Sequence, residues 1–248
     1  MCDISTNPPL GGPMSRRTLL KISSAAVAAS LAAGGLGGGR ADAAALTKAQ
    51  RDKMTPEEII AAMKRGNERF RRGEKTTQNF LAQQRASAKG QHPAAVLLSC
   101  IDSRAPAEVI LDLGIGDVFN CRVAGNIANE DILGSMEFAC KAAGAKVVLV
   151  MGHTACGAIM GAIDNVELGN LTGLLAKIRP AVQETTFAGE RSSKNLAYVD
   201  AVARQNVELT LADIRKRSAV LRDLESQRAV KVVGAMYNLE TAVVEFFG

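Results

Sequence analysis

Two short apolar runs in this chain end abruptly in polar clusters, and they confine its fold more than any other feature. Ala94 to Ser99 runs into Cys100-Ile101-Asp102-Ser103-Arg104, and Lys146-Val147-Val148-Leu149-Val150-Met151 runs into Gly152-His153-Thr154-Ala155-Cys156-Gly157. Runs this short and this apolar suit strands buried on both faces. Asp117 to Val123 suits another strand. Val230 to Met236 and Thr241 to Phe247 suit two more, joined by a tight turn at Asn238. Helical patterns lie between them. Thr55 can cap a helix, with Pro56 in its first turn and Glu58 completing a capping box. Ile59, Ile60, Met63 and Phe70 then form a stripe to about Arg72. Gln78 to Ala88, Pro106 to Leu111, Asp131 to Ala143, a segment from about Cys156, and Asn195 to Arg217 also read as helices. Strands alternating with helices predict an α/β fold with a mostly parallel sheet covered on both faces. Four strands are parallel, and the last forms an antiparallel edge strand. No internal repeat or interdomain linker interrupts the pattern, so residues 44–248 form one domain.

Composition narrows the function. The chain has 248 residues, 47% of them hydrophobic and 22% charged, enough for a sizeable core. Trp is absent and Tyr occurs only at 198 and 237, which argues against a stacking surface for single-stranded nucleic acid or sugars. The net charge of +5 is partly local, since residues 44–248 hold 26 basic and 23 acidic side chains. Arg69, Arg71 and Arg72 sit among Glu68 and Glu74 and read as a solvated helix face. No nucleic-acid partner is expected.

Residues 1–43 read as an address. Arg16 and Arg17 precede Ile22 to Gly39, an uncharged stretch rich in Ala and Gly, and small residues follow. These are the parts of a secretory signal, cut after Ala43 or Ala45. The arginine pair resembles a twin-arginine signal. The expected location is periplasmic or secreted, with no stable membrane insertion of the mature chain.

Parallel strands end on one edge of their sheet, where ligand sites form. Cys100, His153 and Cys156 can therefore meet, although 53 residues separate the first two. Two thiolates and an imidazole make a Zn²⁺ ligand set. Cys residues near a His are also common in cores, and an exported protein can form disulfides. Asp102 and Arg104 lie two apart just past a strand, so they can share a side. A carboxylate paired to a guanidinium stays ionised, though exposed pairs of this kind are also ordinary surface features.

At these residues the chain resembles the β-class carbonic anhydrases. C-x-D-x-R and H-x-x-C-G match, with Arg122-Val123-Ala124-Gly125-Asn126 between them and Gly66-Asn67-x-x-Phe70 earlier. The resemblance spans most of residues 44–248. It implies an N-terminal helical arm, Cys100, His153 and Cys156 as zinc ligands, and Asp102 with Arg104 as the catalytic pair. It implies reversible hydration of CO2 to bicarbonate and a proton by zinc-bound hydroxide. Gln91, nine residues before Cys100, and Phe119, nineteen after it, match the plant-type branch. With Gly157 they are the expected substrate-binding residues. Phe138 stands where plant enzymes carry an active-site Tyr. The resemblance further implies a homodimer or a multiple of it, with pocket residues reached across the interface and the helix over 55–72 wrapping the partner. The open form of the site is expected, with Asp102 on Arg104. His92 is a candidate proton relay, and Cys121 and Cys140 are expected as free core thiols. Relatives on the same scaffold hydrolyse carbonyl sulfide or carbon disulfide. A non-enzymatic zinc-stabilised scaffold or sensor would not be expected to keep the Asp–Arg pair.

Overall fold

In a computed structural model, residues 45–248 are described and belong to one compact unit. The proposed signal, residues 1–43, lies outside the described residues. In chain order the elements are α1 (Lys48–Lys53), α2 (Pro56–Arg71), α3 (Phe80–Ser87), β1 (Ala95–Ser99), α4 (Ala107–Ile110) and β2 (Val118–Arg122). A 3₁₀ turn (Ala124–Asn126), α5 (Glu130–Glu137), a π-helical turn (Phe138–Ala142), β3 (Val147–His153) and α6 (Gly157–Ile163) follow. The chain closes with α7 (Gly169–Ala176), α8 (Arg179–Glu184), α9 (Leu196–Arg217), α10 (Ala219–Ser226), β4 (Lys231–Tyr237) and β5 (Val244–Phe247).

The strand order is β2-β1-β3-β4-β5. The first four are parallel, and β5 pairs antiparallel with β4, as the sequence predicts. From β1 the chain crosses to β2 on one side and then to β3 on the other. The direction of winding therefore reverses between β1 and β3, and the carboxyl ends of those strands frame the crevice where ligands settle in such sheets.

Every residue of β1 and β3 is buried, which explains their unbroken apolar sequence. On one face Val96, Leu98, Val148, Val150 and Val232 pack with residues of α5, α6, α8, α9 and α10. On the other, Ala95, Leu97, Leu149 and Val233 pack with Ile59, Ile60 and Met63 of α2 and Ile110 of α4. The stripe read from α2 is therefore covered by the chain's own sheet. Only the other faces of α2 remain for contact with a partner.

The Gly66-Asn67 pair locks α2 in place. A Cβ on Gly66 would lie 1.9 Å from the Leu111 carbonyl oxygen, so only glycine allows this approach. Asn67 is 4% exposed and fully bonded. Its Nδ2 donates to the carbonyls of Ile110 (3.3 Å) and Ala242 (3.0 Å), and its Oδ1 accepts from the Val244 N–H (3.0 Å). One side chain thus ties α2 to α4 and to the final hairpin.

Thr55 and Glu58 form the expected capping box. Three differences from the sequence reading stand out. β3 extends through Gly152 and His153, because β4 offers Met236 and Tyr237 as partners there. The helix expected over 131–143 is α5 followed by a π-helical turn. Helices α1, α7, α8 and α10 have no counterpart in the sequence reading.

Candidate metal centre

Cys100 follows the last residue of β1, His153 is the last residue of β3, and Cys156 is the N-cap of α6. All three side chains are buried, and their ligating atoms lie within 4.8 Å of one another. The winding reversal places them there. Adjacent parallel strands put Ser99 opposite Met151, so the residues just beyond share one edge.

The donor set fits zinc. Cys100 Sγ and Cys156 Sγ are 3.9 Å apart. A disulfide needs about 2.05 Å, so the disulfide alternative is excluded in this structure, and both thiols are free. Two Zn–S bonds of about 2.3 Å at a tetrahedral angle would separate the sulfurs by about 3.8 Å. His153 Nδ1 lies 2.9 Å from the Thr154 carbonyl oxygen. A carbonyl only accepts, so Nδ1 carries a proton, and in the neutral ring Nε2 presents its lone pair. Among the described residues Nε2 is buried with no hydrogen-bond partner, the state expected of a nitrogen kept for a metal. The two thiols act on each other in opposite directions. The Cys156 hydrogen bond is the strongest influence lowering the Cys100 thiol, while Cys156 itself is pushed up. A divalent cation would relieve both.

The loop after β1 is shaped by its neighbours. Gly125 adopts φ +67°, and its N–H donates to Cys100 Sγ at 3.4 Å. Arg122 at the end of β2 donates Nε to the Cys100 carbonyl at 2.9 Å and Nη2 to the Asp102 carbonyl at 2.6 Å. This assigns a task to the Arg122–Asn126 motif: it holds the backbone from Cys100 to Asp102.

Asp102 and Arg104 meet as expected. Arg104 Nε donates to Oδ1 at 3.0 Å and Nη2 to Oδ2 at 2.8 Å, and the Arg104 N–H adds a third bond to Oδ1 at 2.9 Å. The Arg104 side-chain bonds hold the Asp102 carboxyl at about 2, well below its usual range. Asp102 Oδ2 lies 3.8 Å from His153 Nε2, so the carboxylate borders the metal-binding group. Gly157 is the first residue of α6, and a Cβ added there would meet nothing within 4 Å.

Gln91 and Phe119 are not brought to this cluster. Phe119 pairs in register with Val96, four residues before Cys100, and Gln91 lies four residues before β1 begins. Both sit toward the opposite end of the strands, as does His92. There Phe119 meets the 57%-exposed Phe138 edge to face, at 6.1 Å between ring centroids. The two rings border a hollow of about 660 Å³ that Val96, Cys121 and Gly134 also line. Cys140 is buried as expected, but Cys121 on edge strand β2 is only half-buried.

Sequence reasoning did not single out two contributors. Arg122 was visible only as part of a motif. Asp200 on α9, which bonds the loop between His153 and Cys156, carries no local sequence signal.

Comparison with known proteins agrees with the geometry. The family model described as carbonic anhydrase matches residues 95–244. Carbonic anhydrase 2 of Mycobacterium tuberculosis is 34% identical over 181 residues, which cover 72% of this chain and 86% of that protein. A carbonic anhydrase of Mycolicibacterium smegmatis is 32% identical, covering 74% and 89% respectively. Among solved structures, the β-carbonic anhydrase CafA of Aspergillus fumigatus aligns with a TM-score of 0.58 at 29% identity, over 65% of this chain and 78% of that one. One of two tetrameric β-carbonic anhydrases from Sordaria macrospora aligns with the same TM-score at 25% identity, over 65% and 83%. With its fold, its Cys-His-Cys group and its relatives in agreement, the chain belongs to the β-class carbonic anhydrases, zinc lyases that reversibly hydrate carbon dioxide.

Proposed function

We propose that hydration of CO2 takes place at the edge between β1 and β3, with Cys100, His153 and Cys156 as zinc ligands and Asp102 with Arg104 as the catalytic pair. The observation that carries this reading is the buried Nε2 of His153, unpartnered among the described residues, beside two free thiols and a carboxylate that Arg104 holds while Oδ2 keeps room for one more donor. Zinc held by Cys100, His153 and Cys156 would supply the Lewis acidity that lowers the pKa of a water to about 7. The protein does the rest. Asp102 remains an anion and accepts a hydrogen bond, which fixes how an attacking oxygen is oriented. Arg104 engages both carboxylate oxygens of Asp102, so that orientation does not drift. His153 keeps its tautomer through Thr154.

The plant-type assignment of Gln91 and Phe119 places them in a second subunit's site. Phe119 lies near the start of β2 and Gln91 just ahead of β1, at the end of the sheet away from the metal-binding group, and the hollow beside Phe119 opens to the outside of the chain. The catalytic unit is therefore a homodimer or a multiple of it. In this arrangement Gln91 donates to a substrate oxygen, and Phe119 keeps the CO2 pocket apolar. Residues 1–43 act as a twin-arginine export signal, and the mature enzyme works in the periplasm or outside the cell. Among the described residues no helix is long and apolar enough to cross a membrane. Replacing Arg16 and Arg17 by lysine should trap the protein inside the cell, and unchanged export would defeat the assignment.

Stopped-flow CO2 hydration tests the catalytic proposal. Asp102→Asn should keep its zinc and lose on the order of 10²-fold in kcat. An Asn variant as fast as wild type would remove Asp102 from the mechanism.

A further inference from the structure

The loop that joins His153 to Cys156 contains only Thr154 and Ala155, and it is held from three directions. Thr154 donates its N–H to the Tyr237 carbonyl at 3.0 Å, and its Oγ1 accepts the Leu239 N–H at 3.0 Å. Ala155 has φ +50°, in the left-handed region that a residue with a Cβ seldom enters without external constraint. The constraint comes from α9. Oδ1 of Asp200 accepts the Ala155 N–H at 2.8 Å. The Ala155 carbonyl accepts from Nη2 of Arg104 at 3.4 Å. The two backbone groups of one strained residue thus link Asp200 to the guanidinium that orients Asp102.

We infer that Asp200 is a positioning residue for the metal centre, fixing the strained Ala155 so that Cys156 and Arg104 are both correctly aimed. The inference rests on the ligand assignment proposed above. Its mechanism is steric and directional. When the acceptor is lost, Ala155 relaxes out of the left-handed region. Its carbonyl then turns away from Arg104, and the Cys156 backbone turns with it. Burial pushes the Asp200 carboxyl upward, but the inference needs only the acceptor oxygen, which either protonation state retains. An amide at this position keeps such an oxygen, so Asn should substitute for Asp.

The test uses the zinc-loaded full chain and follows zinc transfer to a chromogenic chelator. Asp200→Ala should release zinc about ten- to a hundredfold faster than wild type, the range seen when a group behind a metal ligand is removed. Asp200→Asn should stay within about threefold. Asp200→Glu keeps the charge but displaces the acceptor, and should release zinc faster than Asn does. With cobalt(II) in place of zinc, the thiolate charge-transfer absorption should change in the Ala and Glu variants and not in the Asn variant. Asp213→Ala, which removes an ion pair to Arg217 on the same helix, is the control for general loosening of α9. It should leave zinc release unchanged. If Asp200→Ala and Asp200→Glu both release zinc at the wild-type rate with an unaltered spectrum, the inference is wrong. Equal acceleration by Asp213→Ala would also overturn it. Failure of the ligand assignment is read separately. Cys156→Ala would then still bind one zinc per chain as tightly as wild type, whatever Asp200 does.

Discussion

Single side chains in this protein differ sharply in their chemistry, and burial together with partner choice explains why. Cys140 is enclosed in the core, which pushes its thiol up to about 12, and burial also raises Cys121. Neither forms a thiolate readily at neutral pH. Cys100 and Cys156 differ because they face each other and His153. With zinc bound, all four should react slowly with a thiol reagent. After treatment with dipicolinate the number of fast-reacting thiols should rise by two per chain. Two thiols already fast before chelation would contradict the assignment. Asp112 shows the same logic away from the site. Its carboxylate has no exposed surface, accepts from Arg69 at 2.6 Å and from the Thr76 N–H and hydroxyl, and adopts φ +52°. Burial opposes the charge, but the Arg69 and Thr76 bonds outweigh it, and its pKa falls below 3.8. A depressed folded pKa means that the stabilisation is complete above the unfolded value and is lost as pH falls through the folded one. Asn tolerates the left-handed backbone, so Asp112→Asn isolates the charge. It should cost about 1–3 kcal/mol in urea unfolding at pH 7, with the gap to wild type narrowing only below about pH 4. A gap that stayed constant to pH 3 would show that Asp112 carries no such charge.

At the scale of elements, the legible parts of the sequence were those whose burial is uniform or whose ends are marked. β1 and β3 are buried along their whole length, and α2 opens with a capping box, so each was readable from local sequence. The site followed from them, because its ligands sit directly at strand ends. The segment from Gly169 to Glu184 gave no such signal. The N-cap residues of α7 and α8 are Leu168 and Ile178, neither of which caps with its side chain. Ser218 serves as both the end of α9 and the cap of α10, so no loop composition separates the two helices. Asp200 was equally hidden, since its partner is a backbone N–H 45 residues away. The Gly66 contact is legible in sequence only as a motif, because its reason is a close approach to Leu111, 45 residues away. It makes a direct prediction: Gly66→Ala forces a Cβ against a backbone oxygen that cannot rotate away. α2 and α4 must separate, at a cost of about 3 kcal/mol by the scale of overpacked cores. Denaturant unfolding measures it, and a loss under about 0.5 kcal/mol would mean that the helices are not held in this contact.

The whole molecule poses a division that one chain does not resolve. Its metal-binding group and the Asp102–Arg104 pair lie at the carboxyl ends of β1 and β3, while Gln91, Phe119 and Phe138 lie toward the other end. The strands between them are fully buried and cannot fold back. If both groups serve one reaction, a second subunit must bring its Gln91 and Phe119 to the first subunit's metal. Mixed oligomers distinguish this from two unrelated features. One variant carries Asp102→Asn, and the other carries Gln91→Ala with Phe119→Ala. Each alone should be nearly inactive. In a dimer containing one of each, the double-alanine chain supplies an intact metal centre, and its partner supplies intact Gln91 and Phe119. One of the two sites is then complete. Random reassociation makes half the dimers mixed, so activity should recover to about a quarter of wild type. Were Gln91 and Phe119 to act within their own chain, every site would stay defective and mixing would restore nothing. Recovery therefore requires both the cross-subunit site and an assembled oligomer, and stopped-flow rates before and after mixing decide it.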